Sequence, residues 1–184
     1  MANDSSDQDR GLHRRDALAA LGGAAGILVA PPARAGENPA AAVFTHLPIC
    51  VTNIARSTRF YVGALGFREA ETGLLKGDFR KLFQIAEEVE VKTAFVRSGE
   101  LAIEFLEFQR PSTIGTATPR PMNQLGITNL ALKVADLDAT LAAVKALGGK
   151  VHEDSRIEMG PAGRPAARFI LATDPDGVRL ILRA

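Results

Sequence analysis

His46-Leu47-Pro48-Ile49-Cys50-Val51-Thr52-Asn53-Ile54 is answered further along the chain by Asn129-Leu130-Ala131-Leu132-Lys133-Val134-Ala135-Asp136-Leu137. Each copy reads as a short strand followed by a helix cap, Asn53 in one and Asp136 in the other. Each then runs into an amphipathic stretch that ends in Leu-Gly, at Leu65-Gly66-Phe67 and again at Leu147-Gly148-Gly149. A strand, a helix and a glycine stop, met twice at a fixed spacing, predict a domain made of two similar modules. The repeat differs where chemistry is expected, because His46 of the first copy is Asn129 in the second.

Working outward, Thr45 to Val51 reads as the first strand, and Phe60, Tyr61, Ala64 and Leu65 have helical spacing. Leu74 to Phe83, Val91 to Val96 and Leu101 to Phe108 are strand candidates, the last two joined by a tight turn at Arg97-Ser98-Gly99-Glu100. In the second copy Leu137, Leu141, Val144 and Leu147 form one apolar helix face. Strands are expected near Lys150 to His152, Arg168 to Thr173 and Val178 to Leu182, with a turn at Asp174-Pro175-Asp176-Gly177. Glu158 to Pro165 reads as a loop able to border a pocket. Both modules are therefore β-α-β-β-β, over residues 43–110 and 126–184, joined by a Pro-, Ser-, Thr- and Gly-containing linker at 111–125. The expected class is α+β: two βαβββ modules forming a cupped, partly open, barrel-like sheet with helices outside.

The 184 residues are 46% hydrophobic and 23% charged, which suits one globular domain with a core. A net charge of +1 without a basic cluster argues against a nucleic-acid partner. Cys50 is the single cysteine, so neither an intrachain disulfide nor a cysteine zinc cage can form. At the front of the chain, Arg14-Arg15 precede a mild Ala- and Gly-rich run to Ala30, followed by Ala33-Arg34-Ala35. Residues 1–35 thus resemble a Tat-like export signal with a cleavage site, and 36–42 a short leader. The run is too short and glycine-broken for a membrane span, which needs about 20 apolar residues. The expected location is periplasmic or secreted, with no membrane attachment once the signal is removed.

His46 opening a strand, Phe60-Tyr61, Leu65-Gly66-Phe67, Gly126-Ile127-Thr128-Asn129-Leu130-Ala131-Leu132 and Asp174-Pro175-Asp176-Gly177 together resemble the vicinal oxygen chelate superfamily. That superfamily includes glyoxalase I, methylmalonyl-CoA epimerase, extradiol dioxygenases and the bleomycin- and fosfomycin-resistance proteins. The resemblance implies one divalent ion, Zn²⁺, Fe²⁺, Mn²⁺ or Ni²⁺, held by the first and last strands of each module. In the first module the matching residues are His46 and Glu104. In the second, Asn129 stands where the family usually has His, and Ile181 where it usually has Glu. An amide oxygen is a weaker donor to such metals than imidazole or carboxylate, and an isoleucine is no donor at all.

Three readings follow for the concave face. His46, Glu104 and Asn129 can hold a metal that polarises substrate oxygens. Alternatively His46 and Glu104 work as an acid–base pair beside a carbonyl, with no cofactor. The third reading is a binding pocket without chemistry, of the bleomycin-resistance type. Enzyme is the favoured side, of isomerase or lyase type, acting on a small carbonyl- or enol-bearing molecule; extradiol cleavage has the least support. Strand alternation adds Cys50, Lys133 and Arg179 to the pocket beside Ile181. A pocket lysine suits an anionic substrate, whereas a strand-end lysine in water is the plain alternative. Cys50 reads more readily as core filler than as a nucleophile. Glu107 falls on the opposite face from Glu104 and is expected outside. Homodimerisation through the sheets is carried over from the resemblance.

Overall fold

The computed structural model describes residues 42–116, 121–161 and 166–184. The Arg14-Arg15 signal, Ala33-Arg34-Ala35 and leader residues 36–41 lie outside the described residues, as do linker residues 117–120 and loop residues 162–165. The described residues belong to one compact unit. The first module runs β1 (Leu47–Cys50), α1 (Ile54–Leu65), β2 (Arg68–Gly77), α2 (Arg80–Phe83), β3 (Val89–Ser98) and β4 (Leu101–Arg110). The second runs β5 (Leu130–Lys133), α3 (Leu137–Ala146), β6 (Lys150–Met159), β7 (Ala167–Thr173) and β8 (Arg179–Arg183).

The helices start and stop where the local chemistry allows. Asn53 accepts from the Arg56 amide and Asp136 from the Ala139 amide, so each cap supplies an acceptor to an amide of the first turn that has no partner within the helix. Gly66 ends α1 with φ 72°, a left-handed conformation that glycine takes without steric cost. One expected strand is corrected. Leu74 to Phe83 is not a single strand: β2 begins at Arg68 and ends at Gly77, and Arg80–Phe83 is a short helix. Most of β2 is exposed, so it lacks the apolar alternation that would mark it in sequence. The expected loop also starts later, because Glu158 and Met159 complete β6.

Each module folds into a four-stranded mixed sheet, ordered β1-β4-β3-β2 and β5-β8-β7-β6. In each, the first and last strands pair in parallel. The two registers match: Leu47 lies opposite Ile103 and Pro48 opposite Glu104, while Leu130 lies opposite Leu180 and Ala131 opposite Ile181. Glu104 and Ile181 are therefore equivalent positions, as are His46 and Asn129 just before their strands. The sheets do not close on each other, giving the cupped α+β architecture.

One apolar cluster spans both modules. Val51, Val96, Ile103 and Phe105 meet Phe60, Tyr61 and Ala64 of α1, and Ile170, Ala172, Leu180 and Leu182 meet Leu137, Leu141 and Val144 of α3. Each fully buried Val, Leu, Ile or Phe among them contributes about 1.5–3 kcal/mol. Gly149 permits the closest approach, since a Cβ there would sit 2.7 Å from Phe60 Cε2 and from the Thr173 carbonyl. Because the odd residues of β4 and even residues of β8 fill this core, the intervening ones face the opposite, concave side.

The turn between β7 and β8 also joins the modules. Asp174 Oδ1 accepts from the amides of Asp176 and Val178, closing the turn. Its Oδ2 accepts from Tyr61 Oη of α1 at 3.2 Å. Asp176 Oδ1 accepts from Thr52 Oγ1 and from Arg56 Nη2, at 2.7 and 2.6 Å. Beyond forming the turn, these two carboxylates clasp the first module's helix, Asp176 at its start and Asp174 at Tyr61.

Candidate functional site

His46 immediately precedes β1, and Glu104 lies on the central strand β4, two positions along from the register partner that His46 would have. That diagonal brings His46 Nε2 to 3.2 Å from Glu104 Oε2. The imidazole is 35% exposed and the carboxylate 15%, so the pair is partly desolvated yet open on the histidine side. The other ring nitrogen, Nδ1, lies 3.1 Å from Thr45 Oγ1. Phe95 of β3 is the register partner of Glu104, and its ring meets the imidazole edge-on at 5.5 Å. The Arg97 guanidinium covers the same ring, 5.7 Å from its centroid. Thr45 and Phe95 escaped the sequence reading. Phe95 was detectable, because pairing β3 with β4 by alternation places it beside Glu104.

The second module offers no such pair. Asn129 Nδ2 donates to Thr128 Oγ1 at 2.9 Å, and Ile181 occupies the position of Glu104. Among the described residues no group of three His, Cys, Asp or Glu side chains comes together to hold a metal. With Asn129 and Ile181 in the second module, the donor set does not fit the four-ligand centre that the resemblance implies.

A cavity of about 380 Å³ lies where the outer edges of β1 and β5 approach. It is lined by Leu47, Pro48 and Ile49, by Ile127 to Leu130, and by Gly177, Val178 and Arg179. Its lining includes Pro48, the register partner of Glu104, but neither His46 nor Glu104. Of the expected pocket residues, Asn129 and Arg179 line it, while Cys50, Lys133 and Ile181 share the concave face by register but do not line it. Cys50 is exposed, with its sulfur 4.0 Å from Thr113 Oγ1. Burial pushes its thiol up from the ordinary value, the wrong direction for a nucleophile.

Glu107 corrects another expectation. It is on the face away from Glu104, but it is not out in solvent: its Oε2 accepts from the Ile54 amide at 2.7 Å, at the start of α1. His152 pairs with Leu171, itself opposite Ile181, which places it on the concave face of the second sheet.

With two modules of matching register, a parallel first and last strand in each, and helices on one side, the architecture can be compared with known proteins. A model of the Glyoxalase/Bleomycin resistance protein/Dioxygenase superfamily matches residues 43–182. The chain belongs to this superfamily. Two solved superfamily structures share its fold. A glyoxalase family protein from Bacillus cereus has a TM-score of 0.67 at 17% identity, covering 80% of this chain and 96% of that one. A glyoxalase family protein from Enterococcus faecalis has a TM-score of 0.51 at 19% identity, covering 77% and 97%. The fosfomycin resistance protein FosX from Listeria monocytogenes, solved with Mn(II) and sulfate, scores 0.48 at 19% identity, covering 78% and 93%. No curated protein sequence matches the chain significantly.

Proposed function

We propose that this is an exported glyoxalase-like protein that uses His46 and Glu104, without a metal, to move a proton beside the carbonyl or enol of a small organic molecule. The 3.2 Å ion-pair contact between His46 Nε2 and Glu104 Oε2 carries the reading, because a carboxylate beside an imidazole orients the ring and balances the charge it gains as a base. The His46 imidazole takes the proton from the α-carbon, the C–H electron pair moves into the enolate, and the oxygen takes the negative charge. Returning the proton to either face or to the neighbouring atom gives an isomerase. Expelling a group from the next carbon gives a lyase. Glu104 holds the ring and balances the imidazolium charge while the enolate exists.

The test is solvent deuterium entry at the α-carbon of a panel of ketones and thioesters, using chelator-treated protein. Exchange that is lost in His46→Ala and reduced in Glu104→Gln supports the proposal. Ligand retention unaffected by either substitution, with no exchange across the panel, replaces it with the non-catalytic binding reading. Exchange that returns only on adding a divalent ion replaces it with the metal reading through His46, Glu104 and Asn129. Export and homodimerisation belong to the same proposal. No helix among the described residues is long and apolar enough to cross a membrane. Light scattering on the isolated protein reads the oligomeric state directly.

A further inference from the structure

The concave face of the second sheet is rich in cations. In β5, Leu130 and Leu132 pack toward the core, so Asn129, Ala131 and Lys133 face away from it. In β8, Leu180 and Leu182 are buried, which leaves Arg179, Ile181 and Arg183 on that same side. Pairing carries the face across the sheet: Lys133 opposite Arg183, Thr173 opposite both Arg179 and Lys150, and His152 opposite Leu171. The face therefore holds Lys133, Lys150, Arg179 and Arg183, and none of its regularly paired positions is Asp or Glu.

Cations elsewhere on the second module are neutralised. Lys145 pairs with Glu153, Arg156 with Glu153 and Asp138, and Arg168 with Asp138. None of the ion pairs among the described residues involves Lys133, Lys150 or Arg183. Two like charges directly opposite in a strand pair, as Lys133 and Arg183 are, repel and destabilise the sheet. A concave surface of one sign concentrates ligands of the other. His152, on the same face, has its Nε2 buried with no hydrogen-bond partner among the described residues.

We propose that the ligand carries an anionic group, a carboxylate or a phosphoryl, held by Lys133 and Arg183, which stand opposite each other in register. This anion site stands independently of the acid–base reading above.

The test titrates the isotopically labelled export-processed protein with inorganic phosphate, 2-oxobutanoate and the uncharged methyl 2-oxobutanoate, following backbone amides by NMR. At least one of the two anions is expected to shift β5 and β8 amides, and which one does so separates phosphoryl from carboxylate recognition. The ester is expected to leave these amides unmoved. The Lys133→Ala/Arg183→Ala double variant, altered at two exposed positions, should bind the active anion roughly tenfold more weakly or worse. Absence of shifts with both anions, equal shifts with the ester, or unchanged affinity in the double variant overturns the proposal. His46→Ala should bind the anion as the unmodified protein does while losing deuterium exchange. Anion binding without exchange in the unmodified protein would therefore sink the acid–base reading alone, and exchange without anion binding would sink this one alone.

Discussion

Tyr61 Oη donates a 3.2 Å hydrogen bond to Asp174 Oδ2, tying the helix of one module to the turn of the other. Tyr61 is fully buried among Phe60, Phe67 and Phe105, so the bond satisfies a hydroxyl that water does not reach. Removing the hydroxyl in Tyr61→Phe leaves a buried carboxylate oxygen without its donor, and should cost about 1–3 kcal/mol. Chemical denaturation at neutral pH measures it. A change within error would mean that the clasp contributes nothing net.

The two carboxylates of the clasp respond oppositely to acid. Burial pushes Asp174 above the ordinary aspartate value, against the two backbone amides and Tyr61 that pull it down. Burial pushes Asp176 upward too, but the hydrogen bonds from Thr52 and Arg56, with the guanidinium charge, hold it below that value. A raised carboxyl contributes stability that is fully present below its unfolded value and is lost as pH rises through the folded one. A depressed one contributes above its unfolded value and loses that contribution as pH falls through the folded one. Stability should therefore gain from Asp174 as pH drops from neutral toward 3.8, and lose from Asp176 below it. Denaturation midpoints of Asp174→Asn and Asp176→Asn across this range should lose the first and second slopes respectively. Parallel slopes in both variants would contradict the assignment.

The matched registers make a constructive prediction. Since Asn129 and Ile181 occupy the positions of His46 and Glu104, the pair Asn129→His/Ile181→Glu should assemble four donors on the concave face. The double variant is expected to retain about one divalent ion per chain through dialysis, and the unmodified protein far less. Elemental analysis of both, purified without chelator, decides it. Equal metal content in the two would show either that the equivalence is wrong or that His46 and Glu104 suffice.

Packing at Gly149 gives a stability test far from the chemistry. A methyl group there meets Phe60, Val144 and the Thr173 carbonyl, all within 3.0 Å. Backbone cannot give way as a flexible side-chain end does, so Gly149→Ala should cost about 1–3 kcal/mol. Thermal or denaturant unfolding reads the loss, and a neutral result would show that α1 and β6 sit further apart than described.

What was legible in the sequence is what local patterns encode. Asn53 and Asp136 announced α1 and α3, whereas the joining of His46 with Glu104 came from the resemblance and not from a local pattern. The exposed strand β2 was misplaced because Arg68 to Gly77 buries little and so shows no period. The Glu107 bond to the Ile54 amide, and the clasp from Asp174 and Asp176, join residues more than 50 positions apart. No local pattern reports such pairs. Thr45 was missed for the opposite reason: a neighbour's hydroxyl is visible in sequence, but its reach to Nδ1 depends on a rotamer.

Export remains to be read from the protein itself. Arg14-Arg15 before a mild apolar run, with Ala33-Arg34-Ala35 after it, has the form of a signal for the pathway that carries folded cargo. A single thiol suits an oxidising compartment, since it leaves no intrachain pairing to go wrong. Expressed at full length in a bacterium with that pathway, the protein should appear in the periplasm with its N-terminus at Gly36. Replacing Arg14 and Arg15 by lysine should leave it uncut in the cytoplasm, because paired arginines, more than positive charge, are what the pathway reads. Full-length protein recovered from the cytoplasm of the unmodified strain would remove export from the proposal and leave the His46–Glu104 reading untouched.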